Sequence, residues 1–263
     1  MDRTTSEAPP TLESVGALLR ARQLEQAQKE AERLVGARAD DAEARFLLGI
    51  VQAERRNFAD ALVNIKHALM EDENPPWTRQ LALTSVLRDS GDARAAEMVA
   101  RRLIEREPKR VQPQNALGLA LHDQARFDEA VAAFREASAL DPGYIAARLN
   151  LALSLEARGD RAEAIALVNA ARERDPGNAK LAFALAALLE HAKRRAEAKE
   201  GYLRAARLDP AAAAEAYRRL GCLCYSEADI FPLLRRTRNS SSSKTITRRY
   251  GIFSAMRTWT WPR

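Results

Sequence analysis

Apolar and small residues recur along this chain at spacings of three and four positions, and the pattern itself repeats every 34 residues. The dipeptide Asp-Pro occurs at 141–142, 175–176 and 209–210. Two apolar stripes precede the first of these prolines, one of Leu117, Gly118 and Leu121 and one of Phe127, Ala130, Phe134 and Ala137. This spacing predicts two amphipathic helices per copy, with their apolar faces turned towards each other.

The same positions can be followed through six copies and part of a seventh. The copies cover residues 8–41, 42–75, 77–110, 111–144, 145–178 and 179–212, and the partial copy covers 213–228. One helix pair cannot bury both of its apolar faces, so neighbouring copies must stack. We therefore predict an all-α solenoid of about six tandem helix-turn-helix repeats over residues 8–228, after a flexible N-terminus of residues 1–7.

Glycine, proline and short polar side chains separate the predicted helices. Each Asp-Pro ends a second helix, because proline lacks the N–H that a helix needs and disfavours helix at the preceding residue. Gly91-Asp92 and Gly159-Asp160 predict a left-handed glycine after the first helix and a capping acid before the second, and Asn57 is a further candidate cap. The small Gly118 and Ala130 predict a close approach of the two helices in the fourth copy.

These residues resemble the tetratricopeptide repeat, whose pattern is W-x2-L-G-x2-Y, A-x3-F and a closing proline. The chain departs from it because no copy has tryptophan three residues before its Leu-Gly position, where the pattern requires it, and the first two copies lack the proline. Similar repeats occur in bacterial scaffold proteins and beside transferase domains. The resemblance implies a curved stack in which the first helices line a concave groove that binds a peptide or a partner protein.

By the same resemblance, the second, fifth, ninth, twelfth and thirteenth positions of each copy face that groove. The predicted floor and its flanks therefore comprise Phe46, Ile50, Leu81, Ser85, Arg88, Asn115, Leu119, His122, Leu149, Leu153, Glu156, Phe183, Ala187 and Glu190. The floor is apolar, and its polar flanks are of mixed sign. An apolar surface on a folded protein is typical of an interface. The alternative is that these side chains only pack against the neighbouring first helices.

Two binding modes known for the family do not match these positions. A clamp for a terminal carboxylate would need Lys and Asn on neighbouring first helices, but Lys180 and Asn115 are far apart in the sequence. An asparagine ladder at the sixth position would need one Asn in each copy, and only Asn150 fits. The sequence therefore predicts a groove for a protein or peptide without naming that partner.

Charge is distributed unevenly, although the whole chain has a net charge of +6. Residues 230–263 contain eight Lys or Arg and no acid, which leaves 34 basic against 36 acidic residues in the rest. The repeats therefore show no electrostatic footprint for nucleic acid. Only the basic tail is a candidate for such binding.

The tail, residues 229–263, begins where the second helix of the seventh copy should stand. Three explanations are open: a disordered basic segment that binds an acidic partner, a reading-frame accident, or a small independent element. The accident is favoured because the composition changes in the middle of a repeat. In that case the chain would be the non-catalytic docking module of a truncated sulfotransferase, glycosyltransferase or methyltransferase.

Sequence signatures of catalysis are absent from this chain. It has no G-x-G-x-x-G or phosphate-binding loop, no H-E-x-x-H and no G-x-S-x-G. The three histidines lie in different copies, and Cys222 and Cys224 lack the second pair that a zinc site needs. We therefore predict no enzyme activity, cofactor or metal. With neither a signal peptide nor a membrane span in the sequence, we predict a cytoplasmic location; the oligomeric state is left open.

Overall fold

A computed structural model describes residues 10–211 and 213–226 of the chain. Within those ranges the chain forms thirteen α-helices and no strand, which confirms the predicted all-α solenoid of tandem helical repeats. The predicted flexible N-terminus and the tail that begins at Asp229 lie outside the described residues. None of the described helices is both long enough and apolar enough to cross a membrane.

The helices come in pairs, one pair within each of the six predicted copies. The pairs are α1 (Leu12–Arg20) with α2 (Leu24–Ala37), α3 (Ala42–Glu54) with α4 (Phe58–Glu71), α5 (Trp77–Asp89) with α6 (Ala93–Arg106), α7 (Val111–Asp123) with α8 (Phe127–Leu140), α9 (Ile145–Arg158) with α10 (Arg161–Arg174), and α11 (Ala179–His191) with α12 (Arg195–Leu208). The last helix is α13 (Ala213–Ser226). The second helices from α6 onwards end two residues before a proline, as the sequence predicted.

The chain divides into two compact units, and the division falls inside α9, after Ser154. In the first unit, one apolar cluster joins α1, α2 and α3 around Val15, Ala27 and Leu34. A second cluster joins α3 to α7 around Ile65 and Leu87. In the second unit, buried side chains of α11 and α12 form a further core, with Leu181, Leu185, Ala198 and Tyr202 among them. Each core is thus built from facing stripes of consecutive helices.

The turn inside each pair contains one residue with positive φ, always at the fifteenth position of its copy. These residues are Arg22 (59°), Arg56 (64°), Gly91 (91°), Ala125 (57°), Gly159 (108°) and Lys193 (64°). The two glycines confirm the left-handed turns predicted for them. In the other four copies the same turn is made by residues with a side chain, which the sequence pattern did not reveal.

Only one of the three predicted caps forms. The Asp92 carboxylate accepts a hydrogen bond from the Ala95 N–H at 3.0 Å and so caps α6. Asp160 makes no cap, because its carboxylate binds the Arg158 guanidinium instead. The Asn57 side chain likewise donates to Asp60 at 2.7 Å. Charged neighbours compete successfully for both side chains, so these two predictions are wrong.

The close approach within the fourth copy involves a different partner from the predicted one. A Cβ on Gly118 would lie only 2.6 Å from the Phe134 ring, so this ring, rather than Ala130, is its nearest neighbour. The same arrangement occurs two copies earlier, where a Cβ on Gly49 would meet Ile65 at 2.6 Å. Glycine at these two positions therefore makes room for a large buried side chain on the second helix.

Candidate functional site

The first-helix face is defined here as the set of predicted groove positions on the first helix of each pair. In the first unit it comprises Phe46 and Ile50 on α3, Leu81, Ser85 and Arg88 on α5, Asn115, Leu119 and His122 on α7, and Leu149 and Leu153 on α9. In the second unit it comprises Glu156 on α9, with Phe183, Ala187 and Glu190 on α11. The two parts are described separately below.

The apolar side chains of the first unit's part differ in how much they expose. Phe46 and Ile50 pack against the apolar cluster that joins α3 to α7. Leu119 and Leu149 are half-buried, and Leu153 is 54% exposed. Phe46, Ile50 and Leu81 are half-buried as well. The most exposed apolar side chain of this part is therefore Leu153 on α9, and the half-buried Leu119 and Leu149 lie on the neighbouring α7 and on α9.

Polar side chains of the first unit's part are hydrogen-bonded to other residues of neighbouring first helices. Arg88 Nε donates to Asp123 Oδ2 at 2.6 Å, which joins α5 to α7. Asn150 Nδ2 donates to Asn115 Oδ1 at 2.9 Å, which joins α9 to α7. Asn115 is only 8% exposed, so its amide is held in place below the surface.

His122 takes part in the same type of link. Its Nδ1 lies 2.9 Å from the hydroxyl of Ser154, which is fully buried in α9, and its ring makes an edge-on contact with Phe127. Its neighbour in sequence, Asp123, is bound to Arg88. In the described residues His122 therefore does not form the hydrogen bond to a carboxylate that general acid–base catalysis would use.

The second unit repeats this linkage between α9 and α11. His191 Nδ1 lies 2.6 Å from Glu156 Oε1. Tyr202 of α12 donates its hydroxyl to Glu190 Oε2 at 2.6 Å, and its ring meets the Phe183 ring edge-on with 5.2 Å between centroids. Burial raises the pKa of Tyr202, and the hydrogen bond to Glu190 raises it further, so this hydroxyl stays a donor. Phe183 is therefore partly used by the core of its own copy.

Several of these links could not be found from the groove positions alone. Ser154 and Asn150 were not predicted as partners, and Arg79, whose guanidinium lies 5.5 Å from the centre of the Phe46 ring, was not predicted at all. A signal does exist in the sequence. Arg88 with Asp123, Asn115 with Asn150 and Glu156 with His191 are each separated by 35 residues, one more than the repeat. Complementary polar residues at that separation mark contacts between successive first helices.

No group of three or more His, Cys, Asp or Glu side chains in residues 10–211 and 213–226 is placed to hold a metal ion. The first-helix face offers apolar side chains for contact with a partner. Leucine side chains can be covered by an apolar partner, and the polar groups beside them already have partners within the chain. Such a surface can bind without leaving its own buried polar groups unsatisfied.

Comparison with known families identifies repeats of one kind. One family model, described as a tetratricopeptide repeat, matches residues 15–63, 81–145 and 149–213, which together make up more than half of the chain. A second model with the same description matches residues 121–174. No curated protein sequence matches the chain.

Solved structures of similar fold are numerous, although their sequences differ widely. A tetratricopeptide repeat protein of Thermus thermophilus, TTC0263, is 19% identical with a TM-score of 0.60, over 70% of this chain and 99% of its own. YrrB, whose structure is described as having an unusual peptide-binding site, is 20% identical with a TM-score of 0.52, over 73% and 94%. A repeat protein of Parabacteroides merdae is 18% identical with a TM-score of 0.60, over 87% and 97%. At such identities these likenesses establish the fold.

Proposed function

This chain belongs to the tetratricopeptide repeat family, and we propose on that basis that it is a protein-interaction scaffold that binds a peptide or partner protein on its first-helix face. In this proposal the chain performs no catalysis of its own. The partner carries apolar side chains, because the accessible part of the face is formed by leucines. A segment of that kind can lie along neighbouring helices and anchor at regular intervals.

One observation carries the proposal, namely the row of Leu119, Leu149 and Leu153 on α7 and α9. Leu153 alone exposes 54% of its surface, although it lies at a position where the repeat pattern would allow a polar residue. The hydrogen-bonded pairs beside this row fix the spacing of α7 and α9 without using the leucines. A partner that covers the row gains apolar burial and leaves those pairs intact.

Substitution of Leu153 by Glu tests this proposal. The probe is a peptide selected against the whole chain from a random library displayed on phage, and its affinity is measured by isothermal titration calorimetry. A carboxylate in the centre of an apolar contact must lose its water without gaining a partner. We expect Leu153→Glu to weaken binding at least about tenfold, equivalent to about 1.4 kcal/mol.

The matched control is Met70→Glu, which places the same charge on α4, a second helix of the same unit. Met70 is 85% exposed, so the fold tolerates the charge there. Circular dichroism should show equal helix content for both variants. Unchanged binding by Leu153→Glu, or equally weakened binding by Met70→Glu, would contradict binding on the first-helix face.

The docking module of a truncated transferase remains the second candidate function. Its motivation is the sudden change of composition after Asp229, within the seventh copy of the repeat. Sequencing the genomic DNA beyond codon 229 and translating it in the other two frames tests this candidate. A continued repeat followed by a catalytic domain would support it, and early stop codons in both frames would contradict it.

The predicted cytoplasmic location also stays a prediction.

A further inference from the structure

The second unit contains an open cleft on the second-helix side, away from the first-helix face. Its volume is about 850 Å³, and it lies between α10 and α12 with α11 as its floor. The lining residues run from Ala162 to Arg172 on α10 and from Arg194 to Arg207 along α12. All of them belong to one compact unit, so the cleft does not depend on how the two units are placed.

A small side chain in the floor explains why this cleft stays open. Ala182 stands in the floor at the position where the repeat pattern has tryptophan, beside Leu185 and Leu189. Gly201 of α12 also lines the cleft, and a Cβ there would come within 2.8 Å of the Ala186 Cβ. Alanine at the tryptophan position thus leaves a space unfilled in the floor, and Ile165 and Leu203 supply apolar walls. Glycine at 201 instead lets α12 lie close against α11.

Arginines gather at one end of the cleft. Arg172 lies in the last turn of α10, and Arg204 and Arg207 lie in the last two turns of α12. Helices α10 and α12 run in the same direction, because each is joined to α11 by a short turn. The three guanidinium groups therefore stand at the same end, and the opposite end carries the ion pair of Arg194 with Glu197.

The charges of these arginines are not neutralised by carboxylates in the described residues. Arg172 Nη2 donates to Asn169 Oδ1 at 2.8 Å, and Arg204 Nη2 donates to the Pro176 carbonyl oxygen at 3.0 Å. Both acceptors are neutral, so the bonds orient the guanidinium groups and leave their charge available. Guanidinium groups held in this way match the geometry of a carboxylate, which they can bind through two parallel hydrogen bonds.

We propose that this cleft is a second binding site, which takes an extended acidic peptide segment with one or two leucine-like side chains followed by carboxylates. The apolar side chains contact Ile165 and Leu203 over the floor of α11, and the carboxylates contact Arg172, Arg204 and Arg207. Ten residue steps of α10 make the cleft about 15 Å long. An extended chain advances about 3.3 Å per residue, so the cleft holds a segment of about four residues.

Binding of two designed peptides to the whole chain tests this proposal. One peptide contains Leu-Leu-Asp-Asp with an N-terminal fluorophore and an amidated C-terminus, and the other contains Leu-Leu-Asn-Asn in the same frame. Fluorescence anisotropy at low and moderate salt reports their affinities. We expect saturable binding of the Asp peptide, at least about tenfold weaker binding of the Asn peptide, and a loss of affinity as salt rises.

Three variants locate the binding. Arg172→Glu should weaken binding of the Asp peptide about tenfold or more, and Ala166→Trp should block it by filling the cleft. Arg174→Glu is the matched control, because Arg174 lies on the same turn of α10 and outside the cleft lining. We expect Arg174→Glu to change the affinity by less than about twofold.

The proposed peptide site in the cleft and the proposed binding on the first-helix face can be disproved independently of each other. Leu153→Glu should leave binding of the Asp peptide unchanged, because Leu153 belongs to the other face and the other unit. Four results would overturn the proposal: no binding of the Asp peptide, equal affinities for both peptides, equal losses in Arg172→Glu and Arg174→Glu, or a loss in Leu153→Glu with none in Ala166→Trp. Equal melting temperatures of the variants show that a loss of binding is not a loss of fold.

Discussion

At the scale of single residues, close contacts and charged neighbours decide which partner a side chain takes in this fold. Gly118 was expected to make a close helix contact, and it does, but its neighbour is the Phe134 ring. Asp160 was expected to cap a helix, and an arginine two residues away takes its carboxylate instead. The repeat pattern gives the size and polarity of a residue. Its hydrogen-bond or packing partner depends on which of several nearby groups forms the more favourable contact in the folded chain.

Gly118→Ala should destabilise the chain, although alanine favours helix more than glycine does. The gain in helix propensity is about 0.5–1 kcal/mol. The added methyl group must displace the fully buried Phe134 ring, and such overpacking costs about 1–3 kcal/mol. We expect a net loss of about 1–2 kcal/mol in the free energy of unfolding, measured by urea denaturation.

Gly36→Ala is the control for Gly118→Ala. Gly36 also lies in a helix, α2, but a Cβ there would meet nothing within 4 Å. This variant should be stabilised by up to about 1 kcal/mol. In a background with Phe134→Leu, Gly118→Ala should lose most of its cost, because the smaller side chain makes room. A cost that is the same in both backgrounds would contradict the contact with the ring.

Glu97 provides a prediction about pH. Its carboxylate accepts hydrogen bonds from Gln124 at 2.8 Å, from Arg126 at 2.6 Å and from Arg101 at 2.8 Å. Burial raises the pKa of Glu97, but the bonds from Gln124 and Arg101 and the charges of both arginines outweigh burial, so its pKa lies below the ordinary value of 4.5. Folding therefore favours the charged form of Glu97, and the contribution of this carboxylate to the free energy of unfolding is fully present above pH 4.5.

We expect Glu97→Gln to lower the free energy of unfolding by about 1–3 kcal/mol at pH 7, because it removes charged hydrogen bonds from a site with little solvent. As the pH falls below 4.5 and through the lowered pKa, the wild-type chain loses this contribution and the two stabilities converge. Glu105→Gln, on the exposed side of the same helix, should have almost no effect at either pH. Urea unfolding over a pH series measures all three chains. A difference that stays constant with pH would exclude this role for Glu97.

At the scale of helices and turns, the sequence predicted each pair because two independent signals agree there. Apolar spacing indicates the helices, and proline or glycine indicates their ends. Where those end signals are missing, as at Arg56, Ala125 and Lys193, the turn keeps its left-handed residue all the same. The packing of both flanking helices requires that conformation, so tertiary structure overrides the local preference of a residue with a side chain.

Ala125→Gly should therefore stabilise the chain. Alanine at a φ of 57° carries a steric cost of about 1–2 kcal/mol, and glycine does not. Glycine loses more backbone entropy on folding, which reduces the net gain to about 0.5–1 kcal/mol. Ala132→Gly, at an exposed position inside α8, should instead destabilise by about 0.5–1 kcal/mol. Thermal unfolding compares the two variants, and a destabilising Ala125→Gly would show that this turn carries no strain.

At the scale of the whole molecule, a repeat of 34 residues predicted the solenoid class, because each copy must bury its faces against the next. The family resemblance predicted a set of groove positions, which stays a prediction, but not how the polar groups at those positions pair. Links such as that between Asn115 and Asn150 arise only when two copies are placed side by side. The cleft beside Ala182 is hidden for the same reason, since no single copy contains it.

Hydrogen–deuterium exchange of the whole chain, with and without the phage-selected peptide, tests the central claim most directly. Bound peptide should slow amide exchange in α7 and α9, because covering Leu119, Leu149 and Leu153 suppresses the local opening of those helices. The second helices of the same unit, α4, α6 and α8, should change far less. Slowing confined to those second helices, with α7 and α9 unchanged, would contradict binding on the first-helix face.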